Sequence, residues 1–102
     1  MKEAQDCQTI EEIRACIDQI DCRILKLFGK RMEYVKTIVK FKSDPNGIVA
    51  RDRQMEVFRK RRKWAAEFGL DPDLYEELYQ ILINWNVKKE MELFRESEKE
   101  KS

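Results

Sequence analysis

An all-α protomer of three helices, the first of them very long, is the fold this sequence predicts, and three observations predict it. The 102 residues include only 3 Gly and 2 Pro, whereas an all-β domain needs a turn every ~8–12 residues. Lys, Glu, Leu and Ile are in excess, a composition that accompanies long helices. Apolar residues also recur at alternating steps of three and four through the first half of the chain, which is the spacing of one helical face. The length suits a single domain, 1–102, with a polar lead at 1–8 and a polar tail at 96–102 that should fray.

The first helix opens at Thr9-Ile10-Glu11-Glu12, a capping box in which a hydroxyl is followed three residues later by Glu. Its seam runs through Ile10, Ile13, Ile17, Ile20, Ile24 and Leu27, then resumes at Tyr34, Ile38 and Phe41, with Arg31 as the one break. Gly29 costs about 1 kcal/mol relative to Ala and does not stop such a helix. The turn formers Ser43-Asp44-Pro45-Asn46-Gly47 end it. A second helix is predicted over about 50–68, with Met55, Phe58, Arg62 and Ala65 on one face and Gly69 as the C-cap signal. Asp71-Pro72 supplies an N-cap and a first-turn proline for the third helix. That helix carries two apolar stripes, Leu74/Leu78/Ile81/Trp85 and Tyr79/Ile83/Val87/Phe94, with Glu90 in the second file. Two stripes predict cover on most sides.

Length then argues for assembly. A first helix of roughly 33 residues would extend ~50 Å at ~1.5 Å per residue. A compact domain of this size has a radius of gyration near ~13 Å. The overhanging seam needs a cover, and an intertwined homodimer is the simplest closure.

Lys+Arg 21 against Asp+Glu 20 leaves a net charge of +1, which advertises neither nucleic acid nor an anionic membrane. The N-terminus has no apolar leader, and no stretch approaches the ~18–20 apolar residues of a membrane span, so a cytoplasmic, soluble protein is expected. The chain has no histidine, which removes His triads, His acid–base chemistry and His-containing metal sites. Cys7, Cys16 and Cys22, an odd number without C-x-x-C spacing, read as reduced thiols and not as a disulfide framework or metal site. The run Arg59-Lys60-Arg61-Arg62-Lys63 resembles a nucleic-acid patch. Consecutive helical residues point around the whole circumference, however, which makes a solvated face the expectation.

Arg31, Lys42 and Glu90 stand on or beside apolar files, where charge is expensive. Arg31 and Lys42 are three turns apart on a continuous helix, a rise of ~16 Å, so two long side chains converging there could grip a small anion. Arg14 lies ~25 Å along the axis from Arg31, too far to share such a ligand within one chain. In an antiparallel dimer the partner's Arg14 would complete the pocket. Alternatively, Arg31 and Glu90 form a buried structural ion pair, or Arg31 snorkels out of the seam.

Ile13-Arg14-x-x-Ile17-Asp18-x-Ile20-Asp21, Lys30-Arg31-Met32-Glu33-Tyr34-Val35-Lys36 and Phe41-Lys42 together resemble the first helix of the all-helical chorismate mutase family. Arg53, Trp64-Ala65-x-Glu67-x-Gly69-Leu70-Asp71 and Ile83-x-Trp85-x-x-x-x-Glu90 extend the resemblance to about Phe94. Its nearest flavour is the isochorismate pyruvate-lyase branch. The resemblance implies the type II fold, an intertwined homodimer, and two active sites each built from both chains. It implies a pericyclic reaction on a small dicarboxylate: chorismate to prephenate, or isochorismate to salicylate and pyruvate. Neither needs a cofactor, a metal or a nucleophile. Each needs a compact substrate conformer and stabilisation of charge on the ether oxygen.

Carried over by position, Arg14 of one chain and Arg31 of the other clamp carboxylates. Lys42 meets the ether oxygen and a carboxylate, Arg53 edges the site, and Asn86 is a polar substrate contact. Three positions depart from the pattern. Ala50 replaces an acidic residue of typical mutases, as in the lyase branch. Gln54 replaces a Glu that binds the ring hydroxyl, and can still hydrogen-bond it. Glu90 stands where most of the family has Gln. Desolvation would raise its pKa and nearby cations would lower it; only the protonated form can donate to the ether oxygen. Mutase chemistry is therefore the first expectation and the lyase the second. A non-catalytic helical dimer that binds an anion or a partner is the third.

Overall fold

The computed structural model describes residues 1–101. They form a 3-10 turn at Ala4–Asp6, helix α1 (Ile10–Ile38), a 3-10 turn at Val39–Phe41, and helices α2 (Pro45–Val49), α3 (Arg51–Glu67) and α4 (Pro72–Lys101). No strand occurs among the described residues. The all-α class with a long first helix is therefore what the chain adopts. Two compact units divide it, Met1–Tyr34 and a second beginning at Val35.

In the first unit, Thr9 Oγ1 accepts from the Glu12 N–H at 3.1 Å, as the capping box predicts. The Glu12 carboxylate returns the bond to the Gln8 N–H at 3.0 Å, one residue earlier than the standard box. The helix passes through Gly29 without a break. None of the α1 residues is buried, and its seam is open, with Ile17 50% and Leu27 68% exposed.

The second unit holds the core of Val39, Ile48, Val57, Ala65 and Ile83. Where the sequence predicts only a turn after the first helix, α2 forms. Asp44 Oδ1 caps the Gly47 N–H at 3.1 Å and Pro45 occupies the first turn. Asp and Pro serve an N-cap and N1 as well as a turn, so the two outcomes share one signature. Ala50 then joins α2 to α3 in the left-handed region at φ 41.

Helix α3 closes with the Schellman pattern that Gly69 predicts. Gly69 has φ 74, its N–H bonds the Ala66 carbonyl at 3.2 Å, and the Leu70 N–H bonds the Ala65 carbonyl at 2.8 Å. The predicted face is met except at Met55: Ala65 is buried and Phe58 and Arg62 are half-buried. Val57 and Ala65 are buried while Met55 is exposed, and Arg62 turns to Asp73 (2.9 Å) and Glu76 (3.5 Å) on α4.

Asp71 starts α4 by accepting from the Asp73 N–H at 2.9 Å, with Pro72 in the first turn. Along α4 the Ile83/Glu90 file is buried against its own unit. Leu74, Leu78, Ile81 and Trp85 are exposed, so cover on most sides is not met within one chain. The helix continues through the polar stretch from Glu96 to Lys101, where fraying is predicted, with a Lys101–Glu98 ion pair of 3.6 Å in its last turn. Ser102 lies outside the described residues.

Candidate active site

The predicted site residues divide between the two units. Arg14 is exposed and Arg31 half-buried, both on α1 in the first unit. Lys42, Arg53, Gln54, Asn86 and Glu90 belong to the second.

Lys42 corrects one geometric expectation. Helix α1 ends at Ile38, four residues earlier, and the chain tightens into the 3-10 turn whose last bond runs from the Lys42 N–H to the Val39 carbonyl at 3.1 Å. Lys42 itself is extended, at φ −98 and ψ 129. The straight-helix rise of ~16 Å from Arg31 therefore does not apply to it. Its stem instead lies over Gly47, where a Cβ would stand 3.5 Å from Lys42 Cδ.

Asn86 and Glu90 lie one turn apart on α4 and are 6% and 8% exposed. Burial of an amide and a carboxyl among apolar residues is costly unless both are held by polar partners. Arg31 and Glu90 both have partners within the chain. Arg53, in the first turn of α3, is exposed, and its Nη1 donates to Glu56 Oε1 at 2.7 Å. Glu56 also takes Lys60 Nζ at 3.0 Å. Lys60 first, then Arg53, hold the Glu56 carboxyl below its ordinary range.

Gln54 is bonded in a way the sequence does not reveal. Its Nε2 donates to the Val49 carbonyl at 2.6 Å, across the left-handed Ala50. That bond uses one of the two amide N–H donors and leaves the other N–H and Oε1 to meet a hydroxyl. Gln54 also lines an open groove of about 430 Å³ with Val49, Arg51, Met55, Phe58, Asn84 and Val87. Arg51 and Asn84 add a cation and an amide that the seam argument passes over, since neither interrupts an apolar file. A second groove, about 510 Å³, is walled by Asp71, Asp73, Glu76 and Glu77. That charge repels a dicarboxylate, so the first groove is the better surface for one.

The basic run of α3 disperses. Arg61 stacks on Trp64 (5.0 Å) and Tyr79 (5.3 Å), Arg62 pairs with α4, and Lys60 pairs with Glu56. Asp73 is the main cause that raises the Arg62 pKa further. No helix is long and apolar enough to cross a membrane among the described residues.

Similarity to known proteins converges on one family. The chain is 35% identical over 97 residues to an isochorismate pyruvate lyase of Pseudomonas aeruginosa, covering 95% of this chain and 96% of that protein. It is 30% identical over 93 residues to a chorismate mutase of Methanocaldococcus jannaschii, covering 89% and 93%. It is also 31% identical over 72 residues to the T-protein of Haemophilus influenzae, 70% of this chain but 19% of that longer one. The family model for chorismate mutase type II matches residues 13–91, which take in Arg14, Arg31, Lys42, Arg53, Gln54, Asn86 and Glu90. With that match and its long-helix, all-α architecture, the chain belongs to the chorismate mutase type II family.

Proposed function

We propose that this protein is a pericyclic enzyme that converts chorismate to prephenate in a cationic pocket shared between two chains. The observation that carries the reading is the family match over residues 13–91, a span that contains Arg14, Arg31 and Lys42. The rearrangement is an isomerisation: the ether C–O bond breaks as a C–C bond forms, and no proton or group leaves. Catalysis then consists of holding the two carboxylates so that the reacting carbons meet, and of stabilising negative charge on the ether oxygen.

Arg14 of one chain and Arg31 of the other hold the carboxylates with bidentate guanidinium contacts. Lys42 places its ammonium at the ether oxygen, and protonated Glu90 donates a hydrogen bond to the same atom. Gln54 accepts from the ring hydroxyl, Asn86 contacts the substrate, and Arg53 adds positive potential at the edge. The exposed seam of α1 and the exposed stripe of α4 support the homodimer that this arrangement requires.

A second reading, isochorismate pyruvate lyase, draws on the 35% identity to the P. aeruginosa enzyme, against 30% for the archaeal mutase. Ala50, shared with that branch, favours it as well. Incubation of the purified protein with chorismate and with isochorismate separately, with products identified by NMR, tests both. Prephenate from chorismate supports the first reading. Salicylate and pyruvate from isochorismate, with chorismate untouched, support the second. No turnover of either overturns the assignment.

A further inference from the structure

Lys42 has no helix of its own, and its neighbours in sequence fix its backbone. Before it, Val39 is 8% exposed and its carbonyl accepts from the Lys42 N–H at 3.1 Å. After it, Ile48 is 4% exposed. The 3-10 turn of Val39 and the helix α2 of Ile48 both pack on α4, the helix that carries Glu90. The side chain needs a further restraint, because lysine carries its charge on a flexible four-carbon stem. Gly47 gives that stem a place to lie. A Cβ there would stand 3.5 Å from Lys42 Cδ, an ordinary carbon–carbon contact, so any branch beyond it competes with the stem for space. Gly47 does not share the positive φ of Gly69, so space and not backbone conformation favours glycine here. The Gly47 N–H is held twice by Asp44, through Oδ1 at 3.1 Å and through its carbonyl at 3.1 Å. Helix α2 has only 5 residues, too few to hold its shape without such a cap and its packing.

We propose that Asp44 and Gly47 are positioning residues for Lys42. The Asp44 cap holds the first turn of α2 against the Lys42 stem, and the bare Gly47 lets that stem lie flat and aim its ammonium. The proposal rests on the role given above to Lys42, at the ether oxygen of the substrate. An ammonium already held where negative charge develops needs no reorganisation as the C–O bond breaks. A displacement of ~1 Å from that place costs up to ~100-fold in rate. Asp44 acts through an acceptor oxygen and not through its charge, so an amide at the same position serves equally well.

NMR and turnover kinetics of the full-length protein test this together. An NOE between Gly47 Hα and Lys42 Hδ is expected in the wild type and in Asp44→Asn, and its loss in Asp44→Ala. Asp44→Ala should lower kcat more than it changes KM, and Asp44→Asn should restore it. Gly47→Val, no worse a helix former than glycine, should melt close to the wild type yet lose ~10–100-fold in kcat. In a Lys42→Ala background the same Gly47→Val change should cost nothing further, because the group it displaces is gone. A wild type without the NOE would overturn the proposal, as would a Gly47→Val loss undiminished beside Lys42→Ala. A Lys42→Ala variant as active as the wild type, with the wild-type NOE intact, would instead overturn the catalytic role of Lys42 itself.

Discussion

The Gln54 side-chain amide donates to the Val49 carbonyl over 2.6 Å, and the bond spans the left-handed Ala50 that joins α2 to α3. A non-glycine residue in that region carries a steric penalty of ~1–2 kcal/mol, and Gly avoids most of it. Ala50→Gly should therefore stabilise the protein by about 1 kcal/mol, read as a higher urea midpoint with an unchanged slope. Gln54→Glu should do the reverse. A carboxylate cannot donate to Val49, so the carbonyl loses its partner at a cost of ~1–3 kcal/mol. Equal stability of wild type and Gln54→Glu would show that the bond does not hold the junction.

Glu56 supplies a pH prediction with a definite sign. Its carboxyl is held below the ordinary range by Lys60 first and by Arg53 after it. A depressed acid stabilises the fold above the ordinary carboxylate range, and that contribution is lost as pH falls through the lowered value. Glu56→Gln should melt below the wild type at neutral pH, and the gap should close in strong acid. A gap that widens in acid contradicts this.

Assembly is the third prediction. The α1 seam and the Trp85 stripe, Trp85 being 59% exposed, leave apolar residues open along both helices, the kind of surface a second chain covers. Sedimentation at micromolar concentration should give twice the mass of one chain. Ile17→Asp should shift the equilibrium toward the monomer. A well-folded wild-type monomer at that concentration would remove the shared site.

Buried Glu90 yields the fourth. If it donates to the ether oxygen, turnover rises as pH falls through its ionisation, and Glu90→Gln gives a flatter profile that is higher at neutral pH. A wild-type rate constant flat between roughly pH 5 and 8, with Glu90→Gln no faster at the top, leaves Glu90 a structural ion-pair partner.

Legibility in the sequence followed the strength of local signals. The cap at Thr9, the Gly69 stop and the Asp71-Pro72 start are each fixed by a few adjacent residues, and all three stand where they were read. Met55, by contrast, was read as core and is exposed while Val57 is buried, and the Arg62–Asp73 pairing spans eleven residues, which periodicity does not carry. The α2 turn was hidden because Asp44-Pro45 suits a loop as well as a cap. The separation of Arg31 and Lys42 assumed a helix that continues, and the 3-10 turn at Val39–Phe41 ends it first. Asn86 and Glu90 were legible as neighbours because α4 runs through both without a break.

The shared pocket is the claim on which the mechanism turns, and subunit mixing tests it most directly. Arg14→Ala and Arg31→Ala homodimers should each lose nearly all turnover of chorismate. In a verified heterodimer of the two, one pocket draws its Arg14 and its Arg31 from the unmutated positions of opposite chains. The account predicts that this heterodimer regains about half the wild-type rate, one intact site of two. Folded heterodimers as inactive as their parents would show that each site takes both arginines from a single chain.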